Sequence, residues 1–303
     1  MVRLLGILIG IGFVLVATVS LFFDTKDYLL TEHHETAEHR FHIEPENVAF
    51  STDGPFGRFD RQQLQRGFQV YREVCAGCHG INLVAFRNLA EIGYNEAEVR
   101  KIASEFQVPT INAETGEPAT RPGLPADRFP SPYANETAAR AANNNALPPD
   151  LSLIVKARHG GNDYIAGLLT GYRNPPRDLP ADARPGQGLH YNPVFPNLNI
   201  AMPPPFTQDG QVTYAPGNPA PTVQQMSRDV AAFLTWTAEP NLQRRHRAGL
   251  AVMIFLAFAS ILAYFAYKNV WATAKRNVRI AGPLDPENMA KSDAAKRDAG
   301  IEG

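Results

Sequence analysis

Residues 73–82 read EVCAGCHGIN and contain both cysteines of this 303-residue chain, Cys75 and Cys78, with His79 directly after the second. C-x-x-C-H is the attachment signature of a c-type haem. Two thioethers form at the haem vinyl groups, and the adjacent imidazole is delivered to one face of the iron. Other uses of two thiols fit less well. A disulfide is the usual fate of a cysteine pair in an oxidising compartment, but this arrangement is too specific for that. A thioredoxin-like redox pair opens a helix after a strand, whereas a helical pattern precedes this one. A zinc site needs two further ligands, with no other cysteine to supply them.

The second axial position on the iron decides the chemistry. An open position means ligand or oxygen chemistry, and a filled one means electron transfer. Methionine there raises the reduction potential relative to histidine. Of the five methionines, Met1 is the start, Met253 lies in an apolar stretch, Met289 lies in the polar tail and Met226 falls on the apolar stripe of a helix. Met202 remains, in NPVFPNLNIAMPPPF, an exposed-looking loop stiffened by Pro196 and by Pro203 to Pro205. On the residues alone, His159 and His190 stay open as rivals to Met202.

Two helices are expected to position these groups. In RFDRQQLQRGFQVYREV, Leu64, Phe68 and Tyr71 recur at i, i+4 and i+7, giving one apolar face. Asp60 is the N-cap, with Gln63 three residues on. In TVQQMSRDVAAFLTWTAEP, Thr222 and Gln225 repeat the capping pattern, and Met226, Val230, Phe233 and Leu234 form the stripe. Gly67 in the first helix lets the second approach closely.

Composition places this domain beside a membrane. The formal net charge of −1 gives no reason to expect nucleic acid, and 44% hydrophobic with 19% charged residues is globular with a lean toward lipid. Most of the 25 prolines fall between positions 109 and 221, so the middle of the chain is loop-rich. Arg3–Phe23 and Ala248–Tyr267 each approach the roughly 20 apolar residues needed to cross hydrocarbon. The second is expected to be a transmembrane helix, because no face of it is polar. The first is either a cleaved export signal or an uncleaved anchor; its nearest small-x-small site, Thr18-Val19-Ser20, is weak. Arg3 before it, with Asp24 and Asp27 after it, favours export of the downstream domain. It lacks the amphipathic, Arg- and Ser-rich character of a mitochondrial transit peptide, which points to a bacterium. The basic residues around the second segment favour a cytoplasmic C-terminus. The expected organisation is a hydrophobic segment over 1–23, a periplasmic haem domain over 24–247, a transmembrane helix over 248–267 and a cytoplasmic tail over 268–303. The tail from Pro283 onward is expected to be disordered.

RGFQVYREVCAGCHG, YANETAARAANNNALPPDLSLIVKARHGGNDYIAGLLTGY, NPVFPNLNIAMPPPF and RDVAAFLTWTAEP, in that order, resemble the cytochrome c1 family in its bacterial form. That family is the membrane-anchored c-type subunit of the cytochrome bc1 complex, and the match runs from about residue 60 to the end of the anchor. The resemblance implies a mainly α, cytochrome c-like haem domain with long Pro-rich loops, a C-terminal transmembrane helix and a hydrophobic N-terminal segment. It implies one covalent haem c on Cys75 and Cys78, with His79 and Met202 as iron ligands. The PPDLS segment implies Pro149 as a haem contact, with Asn143 and Asn144 just upstream. ARHGG-x-D-Y implies Arg158 and Tyr164 as partners of a haem propionate, and a guanidinium forking onto a carboxylate suits that role.

The implied function is one-electron transfer from the Rieske iron–sulfur protein to cytochrome c, within a quinol–cytochrome c reductase that translocates protons. The implied partners are cytochrome b and the Rieske subunit in a dimeric complex of the bacterial inner membrane, with the haem domain facing the periplasm. A c-type subunit of a terminal oxidase or membrane dehydrogenase is the alternative, and a sensor or peroxidase with an open sixth site is a third reading. Some bacterial members carry an extra cysteine pair; this chain has none, so packing and proline stiffness must hold the Met202 loop. Residues 109–129 do not align and are expected to be a variable surface insertion. Asp150, Asp163 and Asp209 are candidate docking charges for a basic cytochrome c.

Overall fold

A computed structural model describes residues 2–30, 35–277 and 285–298. Among these the chain runs α1 (Val2–Leu30), α2 (Ala37–Phe41), α3 (Arg61–Val70), a π-turn (Tyr71–Cys75), a 3-10 helix (Phe86–Ile92), α4 (Glu96–Ser104), β1 (Gln107–Ile111), β2 (Pro118–Pro122), α5 (Glu136–Ala142), α6 (Gly161–Thr170), β3 (His190–Tyr191), β4 (Asn199–Ile200), α7 (Val223–Ala238), α8 (Leu242–Asn277) and α9 (Pro286–Asp298). The fold is mainly α, as expected. The described strands make two small antiparallel pairs, β1–β2 and β3–β4.

The N-caps expected from sequence form, but the reciprocal half of the capping box does not, and the Gln225 side chain turns to Asp229 instead. The Asp60 carboxylate accepts from the amides of Gln62 and Gln63 at 3.0 and 3.3 Å, and Thr222 Oγ1 accepts from Gln225 N at 3.1 Å. Each satisfies amides that a helix start leaves unpaired. α7 differs from the expected one-sided stripe, because nearly every residue from Met226 to Ala238 is buried. It packs against α3 on one side and α6 on another, so the polar side chains it buries, Asp229 among them, need partners inside the fold. Gly67 is where α3 and α7 meet. A Cβ there would lie 2.0 Å from Asp229 O and 2.7 Å from Phe233 Cβ.

Beside that crossing, Asp229 is fully buried and receives a two-pronged contact from Arg66, Nε to Oδ2 at 2.8 Å and Nη2 to Oδ1 at 3.1 Å. Gln225 Nε2 adds a third donor at 2.8 Å, and Arg66 Nη1 donates to Asn218 Oδ1. An aromatic nucleus of Phe68, Tyr71, Phe86, Phe106, Phe129 and Phe233 fills the space alongside, with ring centroids 4.2–6.4 Å apart.

Phe129 corrects the reading of residues 109–129 as surface. β1 and β2 do form an exposed hairpin, in register from Gln107 opposite Pro122 to Ile111 opposite Pro118. The return strand then dives inward. Gly123 sits so close to α4 that a Cβ would be 2.7 Å from Ala103 O, and Phe129 ends in the core at 2% exposure. Surrounding prolines and glycines masked that single aromatic anchor.

By contacts the chain divides into a unit of Met1–Asp53 with Arg58–Pro240 and a unit of Gly54–Gly57 with Asn241–Gly303. The described residues include two helices long and apolar enough to cross a membrane, over Leu4–Leu30 and Leu242–Ala272. Both overrun the apolar stretches read from sequence. α1 continues through Asp24 and Asp27, and α8 starts six residues before Ala248. Glutamine and arginine sustain a helix well, so at the start of α8 hydrogen bonding precedes the apolar boundary. The tail also differs from expectation: Pro286–Asp298 is helical with no buried residue. Asp285 Oδ1 caps Glu287 N at 3.0 Å, Pro286 suits the first helical position, and Ala, Lys and Arg favour the rest.

Candidate haem site

α3 delivers the cysteine motif through a widened turn. Ala76 N donates to Tyr71 O at 2.8 Å, a five-residue step, after which Cys78 N and His79 N both donate to Cys75 O at 3.1 and 2.9 Å. Such π-turns recur at functional sites because they re-aim the residues after them. Tyr71, buried in the aromatic nucleus, donates its hydroxyl to His79 O at 3.0 Å and so ties the motif to the core. Helical spacing marked Tyr71 only as a packing residue.

His79 is oriented by the residue expected as a haem contact, Pro149, whose carbonyl lies 2.8 Å from Nδ1. A carbonyl can only accept, so Nδ1 carries the proton and Nε2 keeps its lone pair for a metal. Burial lowers the basicity of the imidazole, opposed by the Pro149 contact and by Asp150; the ring is favoured in its neutral, ligating form. Cys75 is half-buried and Cys78 exposed. Burial, and behind it the neighbouring Cys78 thiol, pushes the Cys75 thiol up to about 12.

The Pro149 segment is laced to the motif. Leu151 N donates to Gly80 O at 2.8 Å, Asp150 accepts from Asn82 N and Ser152 N, each at 2.8 Å, and Ser152 Oγ accepts from Leu83 N at 3.1 Å. Asp163 likewise accepts from Val48 N and Asp209 from Val223 N. All three aspartates considered as docking charges therefore accept from backbone amides.

Cys75, Cys78 and His79 open onto a cavity of about 480 Å³, which also gathers Asn143, Pro149, Arg158, Tyr164 and Met202. Its walls are largely apolar, with Leu151, Ile154, Ile165, Leu168, Val230 and Leu234 among them. Asn143 caps α5 and donates to Tyr133 Oη at 3.0 Å and Ala139 O at 2.7 Å; the left-handed Asn144 and Asn145 then turn the chain along the wall. Arg158 and Tyr164 flank a turn whose two glycines, Gly160 and Gly161, both have positive φ, 78° and 54°. Arg158 remains exposed and donates to Ala157 O at 3.1 Å, while the Tyr164 side chain is buried; burial raises the Tyr164 phenol, opposed by the nearby Arg158 charge. His159 and His190, the rivals to Met202, lie outside this lining. The cavity's donor set fits a haem: two thiols, an imidazole with a free Nε2, a thioether, apolar walls for a flat macrocycle and a guanidinium for a carboxylate. Its volume is that of an ordinary cofactor pocket, within the roughly 300–1,000 Å³ seen for such sites.

Met202 is half-buried, and its carbonyl accepts from Tyr172 Oη at 3.0 Å. Burial raises the Tyr172 phenol above its ordinary range, helped by Tyr164, so the hydroxyl stays a donor. Asn192 is fully buried; its Nδ2 donates to Leu168 O at 2.7 Å and its Oδ1 accepts from Val194 N at 3.1 Å. Neither Tyr172 nor Asn192 carries a spacing signal that sequence reasoning could use.

Residues 50–274 match the model of the Cytochrome C1 family. The chain is 46% identical over 260 residues to the mitochondrial cytochrome c1 heme protein of Saccharomyces cerevisiae, covering 86% of this chain and 82% of that one. It is 43% identical over 238 residues to cytochrome c1 of Rhodospirillum rubrum, covering 75% of this chain and 87% of the relative. It is also 46% identical over 249 residues to the cytochrome b/c1 protein of Bradyrhizobium diazoefficiens, covering 75% of this chain and 36% of that longer one. The chain belongs to the cytochrome c1 family.

Proposed function

We propose that this chain is the electron-transferring subunit of a bc1-type quinol–cytochrome c reductase, holding one covalent haem c. Cys75 and Cys78 would carry the thioethers, His79 and Met202 would ligate the iron, and Arg158 with Tyr164 would hold a propionate. The haem, when bound, supplies a one-electron redox centre. The chain's residues supply the rest: the Pro149 carbonyl orients the imidazole, a thioether in the second position favours a higher potential, and the apolar walls exclude water. Because His79 and Met202 would both be taken up in holding the haem, it would offer no site for a substrate and would pass electrons without binding one. The domain would take one electron from a reduced Rieske cluster, which would thereby be oxidised, and would give that electron to an oxidised cytochrome c. Quinol oxidation and proton translocation belong to the complex, with cytochrome b. Export of the domain to the periplasm of a bacterium, with α8 in the inner membrane and residues 268–303 in the cytoplasm, completes the reading.

The observation that carries this proposal is the convergence of Cys75, Cys78, His79, Met202, Arg158 and Tyr164 on one apolar cavity. It is tested by purifying the chain from native membranes in mild detergent and identifying its companions by mass spectrometry. Cytochrome b and a Rieske protein, with inhibitor-sensitive quinol oxidation, are expected. A haem–copper oxidase or a dehydrogenase in their place would overturn the partners and the function. The most N-terminal peptide recovered shows whether residues 1–23 are removed.

A further inference from the structure

The Met202 segment has no covalent brace, since both cysteines belong to the attachment motif. Its β3–β4 hairpin pairs only His190 with Ile200 and Tyr191 with Asn199, and so short a ladder is weak by itself. The pairing also stops two residues before Met202. Beyond Met202 come Pro203, Pro204 and Pro205, which have no N–H to donate. The far side is tied at Pro205, whose carbonyl accepts from Gln211 Nε2 at 2.8 Å.

At Met202 itself the tie is Tyr172, and Tyr172 is held stiffly. It follows Gly171, the C-cap of α6, and a Cβ on Gly171 would lie 2.6 Å from Asn192 Oδ1. Asn192 in turn satisfies the Leu168 carbonyl at the end of α6, while its own amide donates to Leu198 O at 2.7 Å. One buried side chain therefore locks the end of α6 to the hairpin. The same helix carries Tyr164, on the cavity wall beside Arg158.

We propose that Tyr172 is a positioning residue for Met202: its hydroxyl, anchored through α6 and Asn192, holds the Met202 backbone where the thioether reaches the iron. This rests on the reading of Met202 as the second axial ligand. Tyr172→Phe keeps the ring and its packing and removes one neutral hydrogen bond. Loss of such a bond shifts the equilibrium between bound and released methionine by about fivefold.

The test uses the full-length chain in its purified membrane complex, with three variants compared to the parent. Readouts are the methionine-to-iron charge-transfer band of the oxidised form, carbon monoxide binding by the reduced form, and the reduction potential. Tyr172→Phe is expected to keep its haem content, weaken the band, raise the carbon monoxide-reactive fraction about fivefold and lower the potential. Tyr191→Phe, which removes a hydroxyl from the same hairpin, should match the parent. A Tyr172→Phe protein indistinguishable from the parent in all three readouts overturns the proposal. Equal effects of Tyr191→Phe and Tyr172→Phe overturn it too, since general loosening would then suffice. Met202→Leu separates the two levels: if it keeps the band and refuses carbon monoxide, Met202 is not the ligand and the reading beneath the proposal fails.

Discussion

At the scale of single residues, the site works by assigning each polar atom one role. Pro149 O determines which nitrogen of His79 is protonated, and Tyr71 and Tyr172 hold the backbone at the two proposed ligands. Arg158 is the cavity-lining cation proposed to face a propionate. Removing its positive charge favours the oxidised haem, so Arg158→Gln should lower the reduction potential; a redox titration showing no change or a rise would rule out that role. Arg66 and Asp229 are a different case, a structural pair whose side chains are 10% and 0% exposed. Asp229→Ala would leave a buried guanidinium without its partner, which costs about 3–5 kcal/mol. A large drop in thermal midpoint is expected, and one of only a degree or two would mean that Arg66 finds water instead.

Elements meet where small residues or fitted charges let them. α3 and α7 cross at Gly67, and a methyl there has 2.0 Å to the Asp229 carbonyl oxygen. Gly67→Ala should therefore cost about 3 kcal/mol, the upper end for overpacking, read as a lower urea midpoint of the haem-loaded protein. The segment after β2 is held by charge. Arg121 grips Asp127 at 2.6 and 2.9 Å, and Leu124 N adds a third contact at 2.7 Å. The Arg121 contact, then the Leu124 amide, hold the Asp127 carboxyl at about 2. A carboxylate with a lowered folded value stabilises above its unfolded value, so the contribution is complete above about pH 4 and fades as pH falls toward 2. The pair is partly buried, with side chains 38% and 18% exposed, so salt weakens it only in part. Proteolytic nicking at 112–117 should rise over that pH window in the parent, and the rise should be absent in Asp127→Asn.

For the whole molecule, the apolar cluster around the cavity is built from residues 48–236, all within the unit that ends at Pro240. A chain terminated after Pro240 should therefore still fold around the proposed covalent haem. Haem staining of a denaturing gel checks this, and a stained parent beside an unstained truncation would show that α8 is needed for folding. The strap of residues 43–48 contributes to the same unit. Ile43 N donates to Pro193 O and Val48 N to Asp163 Oδ1, and a Cβ on Gly167 would meet Pro45 Cβ at 2.9 Å. Processing of the N-terminus at any point before residue 35 leaves that strap whole.

Sequence alone sufficed where chemistry or periodicity is local. Cys75, Cys78 and His79 lie within five residues, the caps at Asp60 and Thr222 each act on the next three, and an unbroken apolar run marks α8 by composition. Resemblance carried Asn143, Pro149, Arg158, Tyr164 and Met202 to positions that the fold gathers on one cavity. The tertiary structure decided what depends on residues far apart in the chain. Phe129 entered the core from a proline-rich stretch, α7 proved buried on almost every side, and Asp150, Asp163 and Asp209 were taken up by backbone amides. Tyr172 and Met202 are thirty residues apart, and nothing in their local spacing marks the bond between them. Local signals record what a segment prefers by itself, whereas a hydrogen bond between distant segments exists only once packing has brought donor and acceptor together.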